Sequence, residues 1–199
     1  MKNRNLPNRS DALERRELLL DAANTVFSKC GVTAPLDQVV SQAGLGRATL
    51  YRNFPDRAAL MEALLIRAAD RIEERFSSQR KGNAQDFKVL MQVLAGFALE
   101  SAPLSDYWKA IDPNHPTIVG VRARLVDLAR EPLAMGQAAG QCNPALQPTD
   151  IPLLIGMLAA SLRGRTDKER LLFVKRSLKF LCEGVLLQVD RNAPDWEPE

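Results

Sequence analysis

The chain has 199 residues, enough for one mid-sized domain, or for a small module joined to a larger one, with a hydrophobic core and no covalent staples. Its three cysteines, Cys30, Cys142 and Cys182, form no CxxC pair and no cluster with the single histidine, His115, so neither a disulfide framework nor a zinc site is expected and a reducing cytoplasm fits. The net charge of +3 is uneven: residues 1–81 hold 14 Lys/Arg against 10 Asp/Glu and residues 82–199 hold 13 against 14, which puts the basic surplus in the N-terminal part.

The opening residues MKNRNLPNRSD lack the apolar core of a signal peptide, and no stretch approaches the roughly 18 apolar residues of a membrane span, so a soluble cytoplasmic protein with no membrane partner is expected. From Ser10 to Lys29, Leu13, Leu20, Ala23 and Phe27, with Leu19, Ala22 and Val26 beside them, predict an amphipathic helix that Gly31 ends. Pro35 announces a short second helix with Leu36, Val39, Val40 and Ala43 at helical spacing, broken by Gly44. A third short helix fits Gly46 to Phe54, stopped by Pro55, with Asp56 as cap of the next. Residues 57–80 predict a long helix on Leu60, Leu64, Ala68, Ile72 and Phe76, its other face charged through Arg67, Asp70, Arg71, Glu74 and Arg75.

After Lys81-Gly82-Asn83, Phe87 to Ser101 reads as another amphipathic helix and Pro103 to Asp112 as a short one. A helix from Thr117 carries Val121, Leu125, Leu128 and Leu133, with Pro132 expected to kink or interrupt it, before the turn-rich Gly140 to Pro144. Thr149 and Pro152 open a helix containing Ile151, Leu154, Ile155, Leu158 and Leu162, with Gly156, Ala159 and Ala160 small enough for close approach. Thr166 and Glu169 form a capping box for a last helix with a stripe of Leu171, Val174, Leu178, Leu181, Val185 and Val189. No alternating strand pattern occurs. The expected fold class is all-α: an N-terminal three-helix helix-turn-helix domain (1–56), followed by a larger helical ligand-binding and dimerisation domain (57–199) entered through a linking helix at 57–81.

Residues 35–54 meet the demands of a helix-turn-helix, a tight turn followed by a groove helix that ends in polar side chains. Gly44 suits the turn, Leu45 plugs the core, and Leu50 and Phe54 face inward, leaving Arg47, Ala48, Thr49, Tyr51, Arg52 and Asn53 for DNA. Arg47 can fork onto a guanine edge, Ala48 leaves room for a thymine methyl, and Tyr51, Arg52 and Asn53 reach phosphates or bases. Thr33, Gln42 and Arg57 flank this helix as candidate phosphate clamps. By spacing alone, exposed polar residues on an ordinary helical bundle remain an equal alternative.

The run AGLGRATLYRNFPDRAAL at 43–60 resembles the TetR family of repressors, whose pattern is an AG-hydrophobic turn, TLYxxF, then a basic residue and a Leu on the following helix. LLLDAANTVFSKCGV at 18–32 resembles that family's first helix, and the likeness extends over about residues 10–65. It implies a three-helix DNA-binding head on a ligand-binding and dimerisation body, with repression as the usual outcome. Two positions depart from the family: Ala34-Pro35 stand where a Ser or Thr often opens the second helix, and Gly46-Arg47-Ala48 replace the usual Ser or Thr and Gly.

One head makes few base contacts, so specificity calls for a homodimer on a palindromic operator of double-stranded DNA with half-sites about 34–36 Å apart. The helices at about 150–164 and 167–189 are the expected seam, building a four-helix bundle with their symmetry mates. A small apolar effector is expected in the body among Met91, Phe97, Tyr107, Trp108, His115, Met135 and Met157, acting by shifting the helix at 57–80. No catalytic residues, metal or cofactor are expected, because no P-loop, nucleophile elbow or metal-spaced ligand set occurs. The competing classes are a helical enzyme, to be recognised by turnover without salt-sensitive DNA binding, and an architectural DNA-binding protein, which would be far more basic.

Overall fold

The computed structural model describes residues 9–183 except 101–103, 105, 106, 109, 110, 161 and 163–165. Among them are eight α-helices: α1 (Arg9–Cys30), α2 (Leu36–Ala43), α3 (Arg47–Asn53), α4 (Arg57–Gln79), α5 (Asp86–Glu100), α6 (Pro116–Ala138), α7 (Ile151–Ala160) and α8 (Asp167–Glu183). A 3-10 turn at Pro148–Asp150 leads into α7. The architecture is all-α, a small N-terminal bundle of α1 to α3 followed by a larger helical body. The expected short helix between Pro103 and Asp112 falls largely outside the described residues, as do Val185 and Val189 of the terminal stripe.

Local signals set the boundaries. The Gly31 amide donates to the Phe27 carbonyl at 2.9 Å and closes α1. The Asp56 carboxylate accepts from the Ala59 amide at 2.8 Å and starts α4, as its position before an apolar periodic run requires. Thr166 and Glu169 exchange hydrogen bonds at 3.2 Å in the capping box that opens α8. Pro132 does not interrupt α6; it is buried within a helix that runs on to Ala138, where packing offsets the one hydrogen bond that proline cannot donate.

Two apolar clusters divide the interior. Leu19, Ala23 and Phe27 of α1, Val39 of α2, Leu50 of α3, Phe54, and Leu60, Met61 and Leu64 of α4 form the first. Ile72 and Phe76 of α4 join Leu90 and Leu94 of α5, Leu125 and Leu133 of α6, Leu158 of α7 and Val174 of α8 in the second. One continuous helix, α4, therefore serves both cores, its first half with the N-terminal bundle and its second with the body. Burial of each such side chain contributes about 1.5–3 kcal/mol.

Three expectations about faces need correction. Leu13 lies outside the core at 60% exposure, because the buried apolar face of α1 begins at Leu19. Arg67, assigned to the charged face of α4, is 9% exposed; its guanidinium donates to Asp21 at 2.8 Å and Glu17 at 3.3 Å, tying α4 to α1. Leu171 is exposed, whereas Val174 is buried and Leu178 and Leu181 are half-buried, so the inward face of α8 is narrower than its stripe of apolar residues.

Charge pairs fasten the body. Arg124 of α6 donates to Glu73 at 2.8 Å and Asp70 at 2.6 Å on α4, and Arg75 of α4 grips Glu100 of α5 through two bonds of 2.8 and 3.2 Å. Asp86 opens α5 fully buried, accepting from the amides of Lys81 at 2.9 Å, Gly82 at 2.7 Å and Asn83 at 3.1 Å. The Lys81 amide first, then those of Asn83 and Gly82, with Arg80 nearby, hold its carboxyl below the usual carboxylate range against the cost of burial.

Candidate nucleic-acid interface

The turn between α2 and α3 is built on Gly44, whose φ of 64° and ψ of 27° lie in the left-handed region. Nothing lies within 4 Å of where its Cβ would be, so the backbone conformation alone requires glycine. The next amide, of Leu45, returns to the Val40 carbonyl at 3.2 Å, and Leu45 packs against the first core. Gly46 then enters α3 with extended backbone, and its carbonyl accepts from the Thr49 amide at 2.9 Å.

Helix α3 is two-faced. Leu50 is 1% exposed and Phe54, just beyond its end, is also buried; both anchor the helix to the core. Arg47, Ala48, Tyr51 and Arg52 are exposed on the opposite side, Tyr51 at 51% although it is a large aromatic. Arg47 pairs with Asp37 of α2, a contact between exposed groups that costs little to exchange for another anion. Arg52 Nε donates to the Ala48 carbonyl at 2.9 Å, which lays its stem along the helix while the side chain stays exposed.

The remaining nominated residues divide. Thr33, before α2, and Gln42, in its last turn, are exposed beside α3. Thr49 and Asn53 are half-buried, the Asn53 amide donating to the Thr49 carbonyl at 2.8 Å. Arg57 is occupied internally: its guanidinium donates to the carbonyls of Val32 and of Ala34, the latter at 2.7 Å, and lies over the Phe27 ring at 5.5 Å. It therefore ties the α1–α2 connection to α4.

Arg16 was not singled out in the sequence. It stacks over the Phe54 ring at 4.5 Å, next to the C-terminal end of α3. A cation on the early turns of α1 carries no periodic signal of such a role, since the contact spans 38 positions of chain that only the fold brings together.

The residues named for an effector do not converge. A cavity of about 140 Å³ in the body is lined almost wholly by apolar side chains, among them Leu65, Leu94, Phe97, Leu104, Trp108 and Ile155. Of the seven candidates only Phe97 and Trp108 border it. Met91 lines a separate cavity beside α8. Tyr107 packs against the first core, where burial, with Glu62 and Asp56 nearby, pushes its hydroxyl pKa up. His115 caps α6 by accepting from the Thr117 amide at 3.4 Å and lies 3.6 Å from Glu62. Met135 is half-buried away from the cavity, and Met157 is 48% exposed on the outside of α7. Among the described residues no group of three or more His, Cys, Asp or Glu side chains could hold a metal ion, and no helix is long and apolar enough to cross a membrane.

A helix-turn-helix within a three-helix bundle, continuous through one long helix with a larger helical body, defines a class of one-chain regulatory proteins. Residues 19–64 match the model for bacterial regulatory proteins of the tetR family. A HTH-type transcriptional regulator of Staphylococcus aureus is 26% identical over 83 residues, a match spanning 41% of this chain and 45% of that protein's length. A TetR transcriptional regulator of Streptomyces coelicolor superimposes with a TM-score of 0.60 at 25% identity, covering 85% of this chain and 97% of that one. A TetR regulatory protein of Mycobacterium vanbaalenii gives a TM-score of 0.61 at 25% identity over 83% and 96% of the two chains. The match over residues 19–64 and the shared fold make the chain similar to TetR-type DNA-binding regulators.

Proposed function

We propose that the chain is a ligand-responsive repressor that binds a palindromic operator as a homodimer, with α3 as the groove helix. The observation that carries this reading is the two-faced α3, in which Leu50 is fixed in the core while Arg47, Ala48, Tyr51 and Arg52 are exposed. A rigid foundation with exposed donors is what major-groove reading needs, since flexible donors lose entropy on docking. Arg47 exchanges Asp37 for a guanine edge or phosphate; Thr33 and Gln42 contribute phosphate contacts from the flank. Residues 1–56 act as the DNA-binding domain and 57–199 as the ligand-binding and dimerisation domain.

The dimer seam is assigned to α7 and α8, which leave Leu153, Met157, Leu172, Phe173 and Phe180 exposed in the single chain. Such a concentration of apolar side chains supports burial against a second copy, in a four-helix arrangement. The effector is assigned to the 140 Å³ cavity. An apolar cavity of about 150 Å³ accepts benzene, so a small uncharged ring fits without rearrangement and a larger molecule has to part the helices. Leu65, Leu104 and Trp108 wall this cavity and also pack against the first core, which gives an occupant a direct route to the groove helices.

The test is selection of genomic fragments by the purified protein, followed by competition and salt titration. The expected result is recovery of a palindromic site that random DNA does not displace, with log affinity falling linearly against log salt and lost in Arg47→Ala. Equal displacement by random DNA, or a flat salt response, overturns the reading. Addition of small apolar compounds to the selected complex tests release separately.

A further inference from the structure

A second cavity, of about 670 Å³, lies between the first turns of α5, the loop after α6 and the end of α8, and DNA binding makes no use of it. Its walls include Phe87, Lys88, Gln141, Cys142, Leu181 and Cys182. Two of the three cysteines, far apart in sequence, thus face one solvent-accessible space, Cys142 half-buried and Cys182 exposed, while Cys30 lies far off in the chain, exposed at the end of α1. We infer that Cys142 and Cys182 form a dithiol modification site, which a hydroperoxide closes into an intramolecular disulfide.

The loop holds Cys142 firmly. Its amide and that of Gln141 donate to the Gly136 carbonyl at 3.2 and 2.8 Å, and the Gln85 side chain donates to Gln141 Oε1 at 2.7 Å. A Cβ at position 136 would stand 2.5 Å from Cys142 Sγ, so glycine there makes the space that the thiol occupies. Cys182 follows Leu178 by one helical turn, on the side of α8 that also carries Val174, and is itself exposed near the helix end. It lies about 200° around the helix from Phe180, so packing a second copy on Phe173 and Phe180 leaves the thiol open to its cavity.

Burial raises both thiols above their ordinary range, and the charge of Cys182 raises Cys142 further. For Cys182, Lys88 opposes burial while Glu183 adds to it, and these are the charged groups that face the pair from α5 and α8. The pair is therefore protonated at neutral pH and reacts faster as pH rises. The Cys182 thiolate, favoured by Lys88, attacks one peroxide oxygen; the O–O bond breaks, and the leaving oxide takes a proton as the sulfenic acid forms. The Cys142 sulfur then attacks that sulfenic sulfur and gives up its proton; the S–S bond forms, the S–O bond breaks and water leaves. With hydrogen peroxide, two thiols lose two electrons in all and the peroxide becomes two waters.

The test uses the full chain, reduced, then exposed to hydrogen peroxide at about pH 7 and pH 8.5. Remaining thiols are alkylated and the peptides mapped by mass spectrometry. The expected product is one Cys142–Cys182 cross-linked peptide in a chain that stays single on a non-reducing denaturing gel, with Cys30 alkylated and formation faster at the higher pH. Closing a roughly 40-residue loop also raises the melting temperature by several degrees, reversed by a thiol reductant. Separate alkylation or over-oxidation of Cys142 and Cys182, a bond through Cys30, or a bond between chains overturns the inference. Cys30→Ser must retain the product. DNA binding is measured apart from this reaction, so failure of either idea leaves the other standing.

Discussion

Leu50 and Tyr51 are neighbours on one short helix with opposite surroundings, and truncating each in turn separates foundation from reading surface. Leu50→Ala empties a site that is 1% exposed, and such core truncations cost about 2–5 kcal/mol. At about 2–4 °C per kcal/mol for a chain of this size, the melting temperature falls by about 4–20 °C. Tyr51→Ala removes a ring that is 51% exposed, so stability changes by about 0.5 kcal/mol at most and melting by about 2 °C or less. DNA affinity in the Tyr51 variant nevertheless falls at least about tenfold, or about 1.4 kcal/mol, through the loss of one groove or phosphate contact per head. Circular dichroism melts and fluorescence anisotropy on a selected operator duplex measure the two quantities. A Tyr51 variant that melts as early as the Leu50 variant, or binds DNA as tightly as the parent, refutes the assignment of faces.

Arg57→Met removes two hydrogen bonds to backbone carbonyls and is expected to cost about 1–3 kcal/mol in urea unfolding, with no change in the salt slope of DNA binding; a slope reduced by about one makes Arg57 a phosphate contact instead. Phe180→Glu puts a charge on the exposed apolar face of α8 and is expected to shift sedimentation equilibrium toward the monomer with unchanged helix content; an unaltered dimer assigns the seam elsewhere. Asp86 has a depressed folded-state pKa, so its contribution is fully present above the unfolded carboxylate value, near pH 4, and is lost as pH falls below that through the folded value. Asp86→Asn is therefore expected to lose about 2–4 kcal/mol at pH 7 and to show a shallower acid decline in urea midpoints between about pH 5 and pH 3; a parallel decline contradicts the cause assigned to the shift.

Most of the architecture was legible because its signals are local. Helical apolar spacing, Gly31 and Gly44 at helix ends, Asp56 before α4 and the Thr166–Glu169 box each act within a few residues of chain. The outward face of α3 was legible for a related reason: once Leu50 and Phe54 are assigned inward, 3.6-residue geometry leaves Arg47, Ala48 and Tyr51 outside. Periodicity does not tell where a helix meets neighbours. Leu13 fits the apolar period of α1 yet lies beyond the packed region, and Met157 fits a core pattern on a face that the single chain leaves open.

The least legible residues are charged ones whose partners come from distant parts of the chain. In the sequence Arg57 has the chemistry of a phosphate clamp, a cation beside a groove helix, and the carbonyls of Val32 and Ala34 that engage it are set by how α1 turns into α2. Arg67 likewise belongs to a surface pattern by spacing, but Asp21 and Glu17 of α1 meet it where α4 passes beneath. Each cation fixed in this way stiffens the N-terminal bundle against α4, a helix that enters both cores. On the proposed reading the same arrangement makes α4 a lever: a displacement beginning at Leu65 or Trp108 would pass to the bundle that carries α3, because Arg57 and Arg67 bind the near half of the helix to it. Weakening either arginine should therefore loosen the coupling between cavity and groove helix before it weakens the fold of the body.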